Sequence, residues 1–313
     1  MRPAWFNVLL CAAALAAGGC GKKAEPPPVP PSGAGEPHGL VKEPNVAGGF
    51  YPADAAELSA SVKGYLAAAA TATPAEGVVV LFAPHAGYPY SGAVAALAYK
   101  QLEGRKPATV VLLGPSHHSA AEEIATGTYD GYRTPLGTAA VDTAFVTDVQ
   151  RKCADVRYDN APFAEEHGLE VQLPFVQTLF PDARVAPFIF CEHDATSADR
   201  FGRALASAVA ARRDDVLIVV TCDLSHYHPY AEAVKLDGAF VTAFEGFDAA
   251  AIFAGGEAGK FEIDAPGPVA AAFVAARELG ATRALPLEYK NSGDVTGDKS
   301  AGVVGYFAGV LTR

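Results

Sequence analysis

The sequence is short of basic residues, and this shortage excludes several functions. Its 313 residues include 24 lysines and arginines against 35 aspartates and glutamates, so the formal net charge is −11. No cluster of basic side chains is present, and nucleic-acid binding, which depends on neutralising phosphates, is therefore disfavoured. The glycine-rich loops that hold the phosphates of ATP or of dinucleotides are also missing. The chain is therefore not expected to use ATP or NAD.

The apolar run near the N-terminus is too short for a comfortable membrane span of about 20 residues. It covers only residues 8–17 and follows the positive charge of Arg2. Small residues then precede Cys20, so residues 1–20 resemble a bacterial lipoprotein signal, in which this cysteine becomes the lipidated N-terminus. An ordinary cleaved signal and a permanent helical anchor are the alternatives. Gly21 stands where inner-membrane lipoproteins often carry an acidic residue, which favours a lipid anchor in the outer membrane, facing the periplasm.

Proline and glycine are concentrated in residues 21–45, which we interpret as a linker. The segment reads PPPVPP at 26–31 and is too poor in apolar residues to offset its ordering entropy. It is expected to hold the folded part of the chain away from the lipid surface. Residues 46–313 contain no second segment of this kind, and half of the chain is hydrophobic, so a single domain is predicted there.

Cysteine is scarce as well. Of the five cysteines, Cys11 would leave with the signal and Cys20 would carry lipid, which leaves Cys153, Cys191 and Cys222. Three is an odd number, so one disulfide with one free thiol is an option. The simpler interpretation is that all three are buried, reduced and act as small apolar residues.

Apolar runs that alternate with helical patterns predict an α/β fold. Six short runs are predicted as strands: 78–82, 110–113, 185–190, 216–220, 284–289 and 303–310. Seven segments have helical patterns: 55–69, 93–102, 144–152, 169–179, 197–211, 231–244 and 269–279. This order predicts a single domain with a central, largely parallel or mixed sheet flanked by helices.

Histidines follow three of the predicted strands, in the loops where these strands end. His85, His117 and His226 come after the first, second and fourth predicted strands. Because the carboxyl ends of parallel strands meet at one edge, where open α/β sheets bind ligands, the three imidazoles are expected to converge. A lone histidine is more often a structural residue, so the convergence indicates a site and the number of histidines does not.

The helix predicted at 169–179 is preceded by a polar segment that adds further candidates. His167 and Glu170 are three residues apart, and Glu166 and Glu170 are four apart, so these pairs can share a helix face. The carboxylates would equally suit a charged first turn, where they favour the helix dipole. We select His167 as the site residue of this segment.

Six motifs follow the linker in order: VAGGFYP at 46–52, PHAGY with YSG at 84–92, GPSHH at 114–118, EHGLEVQLPF at 166–175, DLSHY at 223–227 and SGDVTGD at 292–298. Together they resemble the Memo family, known in bacteria as AmmeMemoRadiSam system protein B. The resemblance covers essentially all of the chain after the linker. That family is similar in fold to class III extradiol ring-cleaving dioxygenases, which hold non-haem Fe(II), so the same fold is expected here.

The resemblance implies that His85 and His117 are metal ligands, with His117 rather than His118 in the ligand position. Many Memo proteins supply a cysteine as the third ligand from a segment that here reads FEIDAPGP, and Asp264 stands in its place. Two imidazoles and one carboxylate are the facial triad of oxygen-activating Fe(II) enzymes, so Fe(II) is the expected cofactor, with Cu or Zn as alternatives. The other interpretation of Asp264 is an N-terminal cap of the helix that follows.

The resemblance also implies catalytic roles. His226 matches the acid/base histidine of the dioxygenases, and the near-neutral pKa of imidazole suits it to deprotonating a phenol-like substrate and later protonating an intermediate. Asp223 is expected to orient the His226 ring. With His167, these residues form the predicted catalytic set, and the predicted partner is a small phenolic molecule or a protein.

Three functions remain open at this point. The first is a non-haem Fe(II) oxidoreductase of the dioxygenase type. The second is a zinc hydrolase with His226 or Glu166 as its base. The third is a metal-binding or partner-binding module without turnover. Oxygen uptake, oxygen-independent hydrolysis and binding alone would distinguish them.

Overall fold

The computed structural model describes residues 39–69, 75–121, 124–191, 193–212 and 216–313. The predicted signal, with Cys20, and most of the predicted linker lie outside these ranges. The described residues all belong to one compact unit. Within these ranges, every helix is too short or too polar to span a bilayer.

The strands, in chain order, are β1 (Val41–Lys42), β2 (Val78–Ala83), β3 (Thr109–Pro115), β4 (Ile124–Thr126), β5 (Gly131–Thr134), β6 (Gly137–Ala140), β7 (Val156–Tyr158), β8 (Arg184–Phe190), β9 (Val216–Thr221), β10 (Asp223–His228), β11 (Arg283–Asn291) and β12 (Val303–Thr312). Nine strands of the described residues form the central sheet in the order β10-β12-β2-β9-β3-β8-β4-β7, with β11 on the other edge of β12. Strands β1, β5 and β6 form a second, small sheet.

The middle of the central sheet is parallel. Strand β9 lies between β2 and β3, and β8 adds to β3, all four in the same direction. Antiparallel pairs of β12 with β2 and of β4 with β8 continue the sheet on either side. The sheet is therefore mixed, with a parallel centre, and this confirms the predicted fold class.

The helices are α1 (Ala55–Ala68), α2 (Tyr88–Lys100), α3 (Thr143–Lys152), α4 (Gly168–Leu179), α5 (Ala195–Ala210), α6 (Tyr230–Glu245), α7 (Ala249–Glu257), α8 (Pro266–Glu278) and α9 (Ser292–Thr296). Helix α1 packs on α2 and α4, and these two contact the central strands. Helix α8 packs on α5 and α7 and contacts the same strands. The sheet is thus flanked by helices.

Strands β2, β3 and β9 are buried along their whole length, which explains their unbroken apolar sequences. Phe82 of β2 packs edge-on against Phe244 of α6 and Phe273 of α8, with ring centroids 5.0 and 6.0 Å apart. Cys153, Cys191 and Cys222 are buried, in agreement with the simpler interpretation of these residues.

All six predicted strands and all seven predicted helices are present, with ends shifted by a few residues. Residues 223–228, predicted as a loop, instead form β10. This strand follows β9 after a single residue and pairs with β12 with two irregularities in register, so it lacks the regular alternation that identifies a strand. The predicted linker also ends early, because Val41 and Lys42 already pair with β5.

Gly202 marks the place where α5 crosses α8 most closely. A Cβ atom at Gly202 would lie 2.5 Å from the carbonyl oxygen of Ala271 and 2.7 Å from Cβ of Val274. We expect Gly202→Ala to lower the free energy of unfolding by about 1–3 kcal/mol, since the helices would have to separate. Urea unfolding measures this change.

Gly238 in α6 is the matched control, because its added Cβ would meet no atom within 4 Å. Gly238→Ala should leave stability unchanged or raise it by up to about 1 kcal/mol, since alanine has the higher helix propensity. Equal effects of the two substitutions would show that the α5–α8 contact is not as tight as described.

Candidate metal centre

The candidate site lies at the carboxyl edge of the parallel strands. His85 follows β2 and His117 follows β3, and these strands flank β9, whose last residue is Thr221. The His85 and His117 rings are 5.1 Å apart and nearly perpendicular, with an interplanar angle of 84°. The structure therefore brings together two of the three imidazoles predicted to converge.

Asp264 joins them from the segment before α8. Its Oδ2 atom lies 2.8 Å from Nε2 of His85 and 3.6 Å from Nε2 of His117. Its Oδ1 atom accepts a hydrogen bond from the Asp223 N–H, at 3.1 Å. Asp264 does not cap α8, because Ala265 is the residue at the N-cap and no side chain bonds there.

The position of Asp264 Oδ2 suits a metal ligand. This atom is shielded from solvent and receives no hydrogen bond of good geometry from the described residues, although His85 Nε2 lies at ion-pair distance, 2.8 Å. Metal bonds of about 2.1 Å that meet at octahedral or tetrahedral angles place neighbouring donor atoms about 3.0–3.4 Å apart. The distance from Oδ2 to His85 Nε2 is below this range and the 3.6 Å distance to His117 Nε2 is above it, so a cation bound by the three atoms would require small shifts of these side chains.

Glu166 fixes the orientation of His117. Its buried carboxylate accepts hydrogen bonds from His117 Nδ1 at 2.8 Å and from the His117 backbone N–H at 2.7 Å. It also accepts the backbone N–H groups of His167 and Gly168, at 2.8 and 2.7 Å. Because an ionised carboxylate only accepts, Nδ1 of His117 carries a proton, so a metal ion would bind this ring at Nε2.

A buried polar chain supports His85 in the same way. Its Nδ1 lies 3.0 Å from Oγ1 of Thr221, which accepts a hydrogen bond from Nε2 of Gln172 at 2.8 Å. The second donor position of Gln172 Nε2 is used by the carbonyl of Pro84, and the Tyr99 hydroxyl donates to Gln172 Oε1. The amide orientation of Gln172 is thereby set, and the Nε2 atom of His85 is left facing Asp264.

His167 adds a third imidazole to the group. His85, His117 and His167 each offer one potential ligand atom, and these atoms all lie within 4.8 Å of one another. The His167 ring stacks on His117 at 4.5 Å and meets the Phe50 ring edge-on at 4.9 Å. Burial and the neighbouring charges of His85 and His117 lower the pKa of His167 to about 4, so this ring is neutral near pH 7.

The carboxylates of Asp264 and Glu166 favour positive charge on the neighbouring His117 ring. Burial lowers the pKa of His117, but the carboxylates of Asp264 and Glu166 outweigh burial and raise it to about 10. Burial raises the pKa of Glu166, but the hydrogen bond and charge of His117, with backbone N–H groups, bring it down to about 2. Burial likewise opposes ionisation of Asp264, yet the charges of His85 and His117 hold its pKa well below the usual range. A divalent cation would satisfy the same carboxylates.

Asp223 and His226 lie beside these groups on β10. Asp223 is buried, and its Oδ1 accepts the His85 backbone N–H at 2.8 Å, so it holds the loop after β2. Burial raises the pKa of Asp223. The His226 ring is partly exposed and makes no hydrogen bond or ion pair with the part of the chain that the structure describes. Its predicted partnership with Asp223 stays a prediction.

Glu262 connects β10 to the segment that carries Asp264. One carboxylate oxygen of Glu262 accepts the His226 backbone N–H at 3.0 Å, and the other accepts Nε2 of His228 at 2.8 Å. The Asp264 backbone N–H donates to the Asp223 carbonyl, and the Asp223 backbone N–H donates to the Asp264 carboxylate. The third candidate ligand is therefore attached to the strand that holds His226.

Glu170 attaches the N-terminal segment to the site. Its Oε1 accepts the Tyr51 hydroxyl at 2.6 Å and the Val46 N–H at 3.0 Å, and its Oε2 accepts the Asn45 N–H at 2.6 Å. These bonds place Phe50 against His167. Sequence reasoning paired Glu170 with neighbours on its own helix, and instead it binds residues more than 100 positions away.

The supporting residues were not singled out from the sequence. Thr221, Gln172 and Tyr99 are buried polar groups within apolar elements, and a glutamine in the apolar helix α4 was the one local signal. Glu166 was weighed as a helix-capping carboxylate, and it does bond the start of α4 while it also holds His117.

The fold and the site define a class of protein: a single-domain α/β protein with a mixed sheet, whose candidate metal centre combines imidazoles and a carboxylate at the carboxyl edge. The family model described as Memo-like protein matches residues 42–310. The chain belongs to the Memo family.

Relatives of known sequence align with this chain over nearly their whole length. A MEMO1 family protein of Methanopyrus kandleri is 37% identical, covering 88% of this chain and all of its own. MEMO1 family proteins of Aeropyrum pernix and Aquifex aeolicus are 37% and 35% identical, each over 85% of this chain and 98% and 97% of their own. The crystal structure of an uncharacterized protein from Escherichia coli K12 aligns with 73% of this chain and 99% of its own, with a TM-score of 0.43 and 14% identity.

Glu166 and its neighbour Glu165 allow a matched test of the support given to His117. Glu166→Gln should weaken metal binding about 10- to 100-fold, because the amide cannot accept all four donors and no longer fixes the Nδ1 proton of His117. Glu165 has an exposed side chain, so Glu165→Gln should bind metal as the wild type does. Titration with Fe(II) or Zn(II) against a competing chelator measures both. Equal affinity of the two variants would contradict the role of Glu166.

Proposed function

We propose that this protein is a non-haem Fe(II) oxidoreductase of the dioxygenase type, which holds its metal through His85, His117 and Asp264. The observation that carries this proposal is the position of Asp264 Oδ2, which is shielded from solvent and faces the Nε2 atoms of His85 and His117 at 2.8 and 3.6 Å. Two imidazoles and one carboxylate are the ligand set of oxygen-activating Fe(II) sites.

The replacement of the usual family cysteine by Asp264 supports iron over softer metals. Carboxylate oxygen is a hard donor, whereas thiolate selects Cu(I) and other soft ions. Cys222, the nearest thiol, donates to the Asp223 carbonyl at 3.2 Å, and burial raises its pKa well above the usual value. A protonated thiol is a poor ligand, since the thiolate is the form that binds metals.

The surrounding residues suit a phenolic substrate. Bound Fe(II) would supply open coordination positions for substrate and dioxygen. The side chain of His117 is 26% exposed, so the site opens to solvent on that side. The His226 ring is partly exposed and has no competing hydrogen bond, so it is free to take a phenolic proton and return it later. Glu166 is unsuited to this role, because its carboxylate is occupied by four donors.

The first experiment is elemental analysis of protein purified without air. Wild type should contain near-stoichiometric iron, and both His85→Ala and Asp264→Ala should lose most of it, because each removes one of three donors. Oxygen uptake with catechol-type substrates should then follow the iron content.

His118→Ala and Asp182→Ala are the matched controls, since both side chains are exposed and neither is a proposed ligand. They should retain the iron of the wild type. Iron that is unchanged by Asp264→Ala would contradict the ligand assignment.

A zinc hydrolase is the second candidate, favoured by the third imidazole, because sets of three histidines are typical of catalytic zinc. Stoichiometric zinc, with ester or amide hydrolysis that persists without oxygen, would establish this function in place of the first. Stoichiometric metal without either activity would leave a binding module.

We also propose that the domain is tethered to a bacterial membrane by lipid on Cys20, outside the cytoplasm. The support is the sequence of residues 1–20 and the proline-rich segment after it. In cell fractionation, the wild type should sediment with outer membranes, whereas Cys20→Ser should lose the mature lipid-modified form. Cys11→Ser, within the apolar run, is the control and should behave as the wild type. Membrane association that is unchanged in Cys20→Ser would contradict the lipid anchor.

A further inference from the structure

Tyr227 is unusual in both its exposure and its backbone. Its side chain is 79% exposed, the highest value among the exposed large hydrophobic residues that the structure describes. Its φ is +60°, in the left-handed region that bulky residues seldom adopt. An aromatic ring in solvent on a strained backbone costs stability, and such strain is concentrated at functional sites.

The strand is built to hold this conformation. The six residues of β10 run beside only four of β12, Val303–Tyr306, so the register shifts on both sides of His226. Gly302 packs directly on the bulge, since a Cβ atom there would lie 2.5 Å from the Tyr227 carbonyl oxygen. The bulge therefore presents His226 and Tyr227 side by side, with ring centroids 5.8 Å apart.

Two further aromatic residues belong to elements of the candidate site. Phe50 meets the His167 ring edge-on, with centroids 4.9 Å apart. Tyr306 lies opposite Asp223 in the β10–β12 pair, on the strand beside the bulge. The bulge is also attached to the Asp264 segment, because the His226 N–H donates to Glu262 and the Asp223 N–H donates to Asp264.

We propose that Tyr227 is the platform on which the flat aromatic ring of the substrate stacks, with a ring hydroxyl directed toward His226 and the triad. This inference rests on the proposed function and names a residue that determines its specificity. Tyrosine offers a large, rigid face, and aromatic pairs prefer offset or edge-to-face stacking. The proton of the ring hydroxyl passes to the free nitrogen of His226, and no oxidation or reduction belongs to this binding step.

The test is titration of the metal-loaded full chain with 4-nitrocatechol, whose absorbance changes when it ionises or binds a metal. Tyr227→Leu should weaken binding about tenfold, near the upper end of what an aromatic pair contributes. Tyr227→Phe keeps the ring and should bind within about twofold of the wild type. Tyr158, also exposed but on β7, is the matched control, and Tyr158→Leu should have no effect.

A non-aromatic competitor separates stacking from general damage to the site. trans-1,2-Cyclohexanediol carries two hydroxyl groups but no flat ring, so its inhibition constant should be the same in wild type and Tyr227→Leu. Equal loss for both compounds would overturn the stacking role, and so would unchanged 4-nitrocatechol binding in Tyr227→Leu.

Metal content, measured on the same samples, keeps this inference distinct from the proposed function. If the metal is bound but the wild type does not bind 4-nitrocatechol, the platform is wrong and the metal centre stands. If 4-nitrocatechol binds in a Tyr227-dependent way to protein that takes up no metal, the platform stands and the proposed oxidoreductase is wrong.

Discussion

The site depends on the polar contacts that orient the two imidazole rings of His85 and His117. Each ring has its Nδ1 atom next to a buried oxygen, Glu166 Oε1 for His117 and Thr221 Oγ1 for His85. With these atoms engaged, both Nε2 atoms face Asp264 Oδ2. The buried network behind them, rather than the histidines alone, makes this pair of strand-end residues a candidate metal centre, because a ligand ring needs a fixed tautomer and a fixed orientation.

The free-energy cost of burying polar side chains explains why this network is fully hydrogen-bonded inside the core and opens only at the sheet edge. Buried polar groups are destabilising unless every member finds a partner. Here Tyr99 bonds Gln172, Gln172 bonds Thr221 and Pro84, and Thr221 contacts His85. This series of polar contacts starts in the apolar core at Tyr99 and ends at His85, at the edge of the sheet. At that edge, Asp264 Oδ2 is buried and receives no hydrogen bond of good geometry from the described residues, so a cation could bind it there.

The sequence predicted the fold class, six of the strands of the central sheet, the seven longest helices and the meeting of His85, His117 and Asp264. These features follow from local periodicity, from the rule that parallel strands share an edge, and from the family motifs. Strand β10 was missed because its pairing depends on β12, about 80 residues later, and on two bulges that break alternation. The supports from Gln172 and Glu170 were missed because their partners are distant in sequence, and no local pattern encodes such contacts.

The double attachment of the Asp264 segment to β10 has a thermodynamic consequence. Glu262 bonds the strand at His226 and His228, and Asp264 itself bonds Asp223, so a candidate metal ligand and the bulge that carries Tyr227 move together. Two ligands that order the same element assist each other, and the assistance is reciprocal. A metal ion that fixes Asp264 would raise the affinity for a molecule at the bulge by some factor, and a molecule bound at the bulge would raise the affinity for the metal by the same factor. Each ligand would then help to retain the other.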